Sequence, residues 1–459
     1  MRCSVVIPCH GGVDLTRACI ESLVQQDERP AEIVLVDNAS PDTTATLDGL
    51  HGVVRVVKLP TNRGFAGGVN AGIAAARGDT VLVLNNDTQA ATNLLAELHA
   101  VLATDPAIAA VAPVSNHVKG PAMLPVGARG KDPVARARMA AELAGEPVRL
   151  QDVDTLAGLC LLVRRATFAM AGAFDERFGH GNFEDDDFCL RLRLQGHRLV
   201  VARRAFLHHE GHATFRSLGL EIGTEIRRRR AQFVAKWRHD PAGRAVIAAL
   251  AGDVAGAAGA AHEAAAAWPK WPDSDWHAAR WFRANGDHGG AAARFGAILR
   301  TCPAHSDAAV ELTCSLLAAG DRSGAERTAT TTLRRCHLPT THALRVATAF
   351  GEDDYRRGEF AGARRRFAAA RELAPDDGAL HNWIGSCDLA TGDLAGAEAA
   401  FAAAVAAGFA LAHTNLGIVF ARRGDRRRAR ASFARAVEES PGDPVARQNL
   451  EAIERAVPV

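Results

Sequence analysis

Thr80-Val-Leu-Val-Leu-Asn-Asn-Asp-Thr88 is the stretch on which the reading of the fold turns. Thr80 to Leu84 are apolar or β-branched, and Asn85, Asn86 and Asp87 follow at once. An apolar run this short, with turn residues behind it, predicts a strand buried on both faces. Such strands belong to parallel sheets covered by helices. In open α/β sheets, ligands sit just past the carboxyl ends of the strands. The triplet therefore stands where a ligand or a metal would be held. A plain strand-to-helix turn uses the same residues, so the triplet alone does not separate the two readings.

Upstream, residues 4–7 form a β-rich run ended by Pro8, and residues 15–26 place apolar groups at helical spacing. Residues 32–36 read as a second buried strand ending in Asp37-Asn-Ala-Ser40, residues 43–50 as a short helix and residues 53–59 as a third strand. The glycine-rich segment Asn62-Arg-Gly-Phe-Ala-Gly-Gly-Val-Asn-Ala-Gly72 opens a helix that runs through Ala76. This β-α-β-α-β alternation predicts a parallel sheet with right-handed crossovers. Three polar clusters, residues 8–10, 37–40 and 85–87, then line one sheet edge, as a nucleotide crevice requires. Asp37 is placed to accept hydrogen bonds from a base or ribose, or to cap a turn. Gly64, Gly67, Gly68 and Gly72 let backbone approach a ligand closely, but they do not spell a dinucleotide fingerprint.

The chain is 459 residues long, which calls for two or three domains. Its 54 basic and 52 acidic residues nearly balance, so nothing global points to nucleic acid or an anionic membrane. Nine cysteines show no regular spacing, and Cys3, Cys9, Cys19, Cys160 and Cys189 sit in apolar surroundings. They read as small core residues in a reducing cytoplasm. The N-terminal apolar run is too short for a signal peptide. Residues 245–268 contain Asp253, His262 and Glu263, which argues against a transmembrane span.

Downstream, residues 113–149 read as a long excursion over the site. Residues 155–164 return as a buried strand, and Glu184-Asp-Asp-Asp187 then gathers four acids before an amphipathic helix. In a first helical turn the dipole favours them; alternatively one carboxylate faces the crevice as a general base. Phe183 and Phe188 flank the acids with apolar bulk that raises a carboxylate pKa. Residues 200–207 read as a last strand, followed by His208-His-Glu-Gly-His212. That cluster is either a solvated loop or a metal ligand reaching toward Asp87. Arg227 to Arg230 read as the solvated face of the next helix.

Taken in order, VVIPCHGG, VLVDNAS, NRGFAGGVNAGI, GDTVLVLNND, FEDDDFCLRLRLQGHR and HHEGHATF resemble inverting family 2 glycosyltransferases of the GT-A fold, closest to a rhamnosyltransferase-like branch. The resemblance covers roughly the first 240 residues (1–240). It implies that Pro8, Asp37, Asn38, Ser40, Gly67, Asn70, Asn85 and Asn86 bind the nucleotide-diphosphate sugar. It implies that Asp87, with His208 or His209, holds a divalent metal, Mg²⁺ or Mn²⁺. It implies that Asp185, or else Glu184, deprotonates the acceptor. Asn85 replaces the first acid of the family's DxD element, keeping an oxygen ligand and losing a charge.

After Pro241 the composition shifts, and residues 241–274 read as an Ala/Gly/Pro-rich linker, helical or loose. A period then appears. Gly286-Asp287, Gly320-Asp321, Gly358-Glu359, Gly392-Asp393 and Gly424-Asp425 recur at 34, 38, 34 and 32 residues. Phe295, Phe367, Phe401 and Phe433 each fall nine residues after their glycine, and Pro303, Pro375 and Pro441 close units. Residues 275–459 thus resemble tetratricopeptide repeats, an all-α superhelix. Tyr355 and Trp383 are expected in its core. The expectation is a cytoplasmic transferase, soluble or peripheral at the inner face of the membrane. Its repeats would recruit a polypeptide acceptor or partner. The alternatives are a transferase acting on saccharide or lipid carriers with scaffolding repeats, and a non-catalytic interaction protein.

Overall fold

The computed structural model describes residues 1–42, 44–124, 132–147, 150–179, 181–211 and 221–455. The first third alternates as expected: β1 (Cys3–Cys9), α1 (Val13–Val24), β2 (Glu32–Asp37), β3 (Val54–Lys58), α2 (Gly64–Ala75) and β4 (Thr80–Leu84). Two short 3-10 turns, Ala45–Leu47 and Leu50–Gly52, stand where a short helix was expected; Thr43 lies outside the described residues. β3, β2, β1 and β4 lie side by side and all run parallel.

All five residues of β4 are buried, and they divide by parity. Val81 and Val83 join Val6, Val34 and Val36 in one core layer, while Leu82 and Leu84 join Val5, Ile7, Ile33 and Leu35 in the other. A strand whose every side chain leaves water can only be central, because alternate residues point to opposite faces. Each such side chain contributes about 1.5–3 kcal/mol relative to exposure.

The rest of the sheet is mixed, so the parallel arrangement is confined to its first half and to one further pair. Next come β5 (Thr88–Ala90), α3 (Leu94–Ala103), β6 (Ile108–Ser115), α4 (Pro133–Ala144), β7 (Leu150–Val153) and β8 (Cys160–Arg164). After them come α5 (Arg165–Ala171), α6 (Glu184–Leu194) and β9 (Arg198–His209). The order is β3-β2-β1-β4-β8-β6-β9-β5, with β7 also on β9. β8 runs antiparallel to β4 and β6, β6 pairs parallel with β9, and β5 and β7 are antiparallel to β9.

The chain continues through α7 (Ile222–Trp237), α8 (Pro241–Leu250), α9 (Val254–Ala267), α10 (Asp273–Ala284) and α11 (His288–Thr301). The stretch expected as a linker is therefore folded. Ala242 and Ala245 of α8 and Ala260, Ala261 and Ala264 of α9 pack with Phe178, Leu190, Leu194, Phe233, Trp237 and Trp271. Their small side chains let the helices close on the large rings. One compact unit spans residues 1–312 with 328–337; the other spans 313–327 with 338–459. The first repeat-like hairpin, α10–α11, thus belongs to the unit that contains the sheet.

The remaining helices are α12 (Ser306–Ala318), α13 (Arg322–Thr331), α14 (Thr340–Arg356), α15 (Phe360–Leu373), α16 (Gly378–Thr391) and α17 (Leu394–Ala406). They end with α18 (Ala412–Arg422), α19 (Arg426–Glu439) and α20 (Pro444–Arg455). The recurring Gly-Asp pair has a double job. The glycine ends one helix at positive φ, from 77° at Gly424 to 86° at Gly392. The aspartate caps the next: Asp321, Asp393 and Asp425 accept from the backbone N–H groups of Gly324, Gly396 and Arg428. Glu359 makes no such bond. The period also pairs a phenylalanine with a glycine on the preceding helix. A Cβ on Gly385 would lie 2.7 Å from the Phe401 ring, and one on Gly417 would lie 2.4 Å from the Phe433 ring. Trp383 stacks on Phe367 at 5.2 Å and Tyr355 meets Trp383 edge-on at 5.3 Å, both packed against the core.

Candidate active site

A cavity of about 590 Å³ opens at the carboxyl ends of β1, β2 and β4. Its walls bring together Pro8, Asn38, Asn85, Asn86, Asp87 and His209 with Glu184, Asp185 and Asp186. The clusters that sequence places far apart thus converge on one space.

Asn86 anchors the Asn-Asn-Asp turn. Its amide donates to the Gly11 carbonyl at 3.3 Å and to the Thr16 hydroxyl at 3.0 Å, tying the end of β4 to the start of α1. Asn85 is held through its backbone, its carbonyl accepting from the Thr88 hydroxyl at 2.7 Å. Its side-chain oxygen is buried with no hydrogen-bond partner. A buried acceptor left without a donor costs about 1–3 kcal/mol, and a bound cation or donor group would satisfy it.

Asp87 faces His209, with Oδ1 and Nε2 3.3 Å apart. His209 Nδ1 lies 2.7 Å from the His117 carbonyl. A carbonyl only accepts, so Nδ1 donates, and the lone pair of a neutral ring then points from Nε2 at the carboxylate. Two acceptors face each other unless a proton or a metal ion lies between them. Burial disfavours a charge on His209, but the hydrogen bond and the attraction of Asp87 outweigh it and raise its pKa. A carboxylate oxygen suits Mg²⁺ or Mn²⁺, and an imidazole nitrogen beside it fits the softer Mn²⁺ better than Mg²⁺. Among the described residues no three His, Cys, Asp or Glu side chains form a metal cluster. A cation here would have these two ligands, Asn85 beside them, and oxygens of a bound diphosphate. His208 points to the opposite face of β9, its Nε2 3.2 Å from Glu210, and does not line the cavity. His212 lies outside the described residues.

The first turn of α6 lines the same cavity. Asn182 and Phe183, just before it, both have positive φ, 72° and 71°. A phenylalanine there is strained, and the kink turns the acids toward the cavity. The four acids then divide. Asp187 is fully buried and spoken for: it pairs with Arg191 at 3.0 Å and Lys236 at 2.5 Å, and accepts from the Trp237 indole at 2.9 Å. Asp185 is half-buried and oriented, accepting from the Gly158 N–H at 2.9 Å and the Asp186 N–H at 3.0 Å. Burial lifts its pKa while those donors oppose the lift. Glu184 is buried, with one carboxyl oxygen unpartnered. Burial, then the neighbouring Asp185, push its pKa well above the ordinary range. Asp186 is pushed up to about 7 by burial and by Asp185, against the pull of Lys119.

Several expected substrate contacts lie elsewhere. Asp37 spends both oxygens within its own turn, accepting from Ser40 N–H at 2.8 Å and the Thr44 hydroxyl at 2.7 Å, and does not line the cavity. The Ser40 hydroxyl accepts from Gly11 N–H at 3.0 Å, joining two loops. Asn38 does line the cavity, and it also clamps the glycine-rich loop by donating to Gly64 O at 2.8 Å and accepting from Arg63 N at 2.8 Å. Asn70 is turned to the 174–176 segment, bonded to Phe174 N and O. Gly67 is away from the cavity. Gly64 lines the cavity, and both it and Gly72 also serve packing: a Cβ on Gly72 would lie 2.2 Å from Val6, and one on Gly64 2.2 Å from the Gly179 carbonyl. They let α2 lie close to the sheet and to the 176–179 turn. Among Arg227 to Arg230, Arg229 is buried and paired with Glu225 at 2.9 Å, which departs from the expected solvated face.

Sequence reasoning missed His117, Lys119, Gly158 and Asp186 as cavity residues. His117 and Lys119 sit in the excursion and carry no local motif; only the dense acid run gave a signal for Asp186.

An α/β domain with this topology, with its crevice at the carboxyl ends of parallel strands and a run of helical repeats following it in the chain, is a GT-A-type domain fused to tetratricopeptide repeats. The family model Glycosyl transferase family 2 matches residues 4–165, and a Tetratricopeptide repeat model matches residues 348–409 and 388–444. The N-acetylglucosaminyl-diphospho-decaprenol L-rhamnosyltransferase of Mycobacterium tuberculosis is 31% identical over 225 residues, 43% of this chain and 72% of that protein. The chain belongs to glycosyl transferase family 2. An uncharacterised protein of Sinorhizobium fredii is 27% identical over 224 residues, covering 46% of this chain but 24% of its own length. The crystal structure of Staphylococcus aureus TarS residues 1–349 aligns with a TM-score of 0.38 at 16% identity, over 73% of this chain and 90% of that one. Among the described residues no helix is long and apolar enough to cross a membrane, and eight of the nine cysteines are buried.

Proposed function

We propose that the chain is a metal-dependent, inverting glycosyltransferase that moves a sugar from a nucleotide-diphosphate donor to an acceptor hydroxyl. The observation that supports this most is that the Asp87–His209 pair and Asp185 line one cavity. Pro8 and Asn38 hold the nucleoside end of the donor. Asp87 and His209 would hold Mg²⁺ or Mn²⁺ at the diphosphate, with Asn85 beside them. Such an ion, when bound, offsets the negative charge on the departing diphosphate.

Asp185 is the base. Its two backbone donors fix the carboxylate, and burial lifts its pKa toward the working range, where a general base is most effective. It takes the acceptor hydroxyl's proton as that oxygen attacks the anomeric carbon from the face opposite the leaving diphosphate. One displacement inverts the centre and needs no enzyme nucleophile. Burial raises the Glu184 pKa and favours its neutral form.

The repeats recruit a polypeptide, as acceptor or as partner. A second reading, a saccharide or carrier-lipid acceptor with scaffolding repeats, is supported by the similarity to the mycobacterial N-acetylglucosaminyl-diphospho-decaprenol L-rhamnosyltransferase. The test offers a purified polypeptide fraction and a carrier-linked saccharide with the same donor. Labelled sugar appearing only on the saccharide would discard the first reading.

A further inference from the structure

Residues 154–158 connect β7 to the turn before β8 and line the cavity from Thr155 onward. They run along α6 in the opposite direction and are tied to it three times. Gly158 N–H donates to Asp185 at 2.9 Å. Leu156 N–H donates to Cys189 Sγ at 3.3 Å, and the thiol reaches back to the Leu156 carbonyl at 3.6 Å. Arg193 donates to Asp154 at 3.1 Å. Residues 185, 189 and 193 are four apart and share one helical face, while 158, 156 and 154 are two apart. Four helical residues rise about 6 Å and two extended residues about 6.6 Å, so the ties fall in register. The segment is a strap along the acid helix, and its last tie is the one that holds Asp185.

The far end of the strap is gripped by α10–α11 and the turn that follows. Arg193 is 1% exposed and paired with Asp273, the first residue of α10, as well as with Asp154. It also donates to Cys302 Sγ at 3.5 Å. His305 Nε2 lies 3.2 Å from Asp154. Just before the strap, Asp152 accepts from Ala304 N–H at 2.8 Å and returns its own N–H to the Ala304 carbonyl at 3.2 Å. The amide of Gln151 donates to the Ser306 hydroxyl at 3.1 Å. Asp273 is 14% exposed and Asp154 47%, so the Asp273 tie to Arg193 is the better shielded from water.

We propose that Asp273 and His305, acting through Arg193 and Asp154, are positioning residues that set the strap 154–158 against α6 and so hold the Asp185 carboxylate in place. The first repeat-like hairpin is then a working part of the catalytic unit. The catalytic meaning of the strap rests on the transferase reading above; its mechanical meaning does not. Donor-side residues Pro8, Asn38 and Asp87 lie on other elements and are not held by the strap.

The test is hydrogen–deuterium exchange on the full chain, wild type against Asp273→Asn, with Asp275→Asn as control. Asp275 lies on the same helix but pairs within the hairpin, with Arg294 of α11 at 2.9 Å, and not with Arg193 or the strap. Exchange in peptides covering 154–159 and 184–190 is expected to rise at least tenfold in Asp273→Asn, with β1 to β4 and the control unchanged. His305→Gln, a milder change, is expected to loosen 154–159 alone. No change in these peptides, or equal loosening everywhere in both variants, overturns the proposal. With Mn²⁺ and an accepted nucleotide sugar, kcat is expected to fall at least tenfold in Asp273→Asn while the donor KM stays within twofold. A rise in KM with kcat unchanged also overturns it. If no nucleotide sugar is turned over by the wild type, the transferase reading fails and the exchange result still decides the strap.

Discussion

Glu184 and Asp185 are neighbours on one helical turn, yet their surroundings assign them opposite behaviour under the same isosteric change. Asp185 receives two backbone N–H donors, which stabilise its charged form. Glu184 has a buried oxygen with no donor, which favours its neutral form. A positioned general base is worth about 10²–10⁴ in rate, or about 3–5 kcal/mol of barrier. Asp185→Asn is therefore expected to lower kcat at least a hundredfold, whereas Glu184→Gln mimics the neutral form that burial already favours and stays within about fivefold. Stability separates the two as well. A carboxyl whose folded pKa is raised binds more protons folded than unfolded, so its contribution is full below the unfolded value and is lost as pH rises toward the folded one. Glu184 thus penalises the native state from the ordinary carboxylate range upward, and Glu184→Gln removes that penalty. Urea unfolding at pH 5 and pH 8 should show a smaller loss of stability with pH in the variant. Paired initial rates of nucleotide release complete the assay. A hundredfold loss in Glu184→Gln with little effect of Asp185→Asn would reverse the assignment, and an unaltered pH dependence of stability would refute the neutral Glu184.

Three further outcomes follow from particular contacts. His209→Ala is expected to raise the Mn²⁺ concentration for half-maximal nucleotide release at least tenfold, while His208→Ala, on the other face of β9, stays within twofold; equal effects would refute the ligand choice. Gly72→Ala gains up to about 1 kcal/mol of helix propensity but forces a Cβ to 2.2 Å from Val6, and overpacking of this kind costs about 1–3 kcal/mol. A net loss of stability in urea unfolding is expected, and a gain would show that α2 is not seated against β1 as described. A chain ending at residue 274 loses the partners of Asp152 at Ala304 and of Gln151 at Ser306, so it is expected to aggregate on expression, whereas one ending at residue 337 stays soluble. Equal solubility would refute the assignment of α10 and α11 to the first unit.

Much of the site was readable because its chemistry is local. Asn85–Asp87 follow an unmistakable buried strand, four adjacent acids demand an explanation, and the Gly-Asp period announces helical hairpins. What could not be read is set by distance along the chain. Asp37 looks like a ligand-binding carboxylate, and nothing in the sequence shows that Ser40 and Thr44 each donate to one of its oxygens. Gly67 and Gly72 look like ligand glycines, but the close neighbours they accommodate are Arg63 in one case and Val6 with Val36 in the other. His208 and His209 are equivalent in composition and become distinct only when the strand's alternation sends one to each face. Strand direction is invisible in a hydrophobic run, so the antiparallel return of β8 beside β4 had no signal. The alanine-rich stretch from Val254 lacks large apolar residues at helical spacing, because its partners Trp237 and Trp271 supply the bulk from other elements.

The central claim is that Asp87 and its surroundings act on a nucleotide-diphosphate sugar. The most direct measurement is a panel of nucleotide sugars with Mn²⁺, read as released nucleoside diphosphate, for the wild type, Asp87→Ala and the wild type with excess chelator. The account predicts turnover of at least one sugar nucleotide by the wild type and its loss, a hundredfold or more, in the other two. Release by Asp87→Ala at the wild-type rate, or no release from any donor by the wild type, would contradict it.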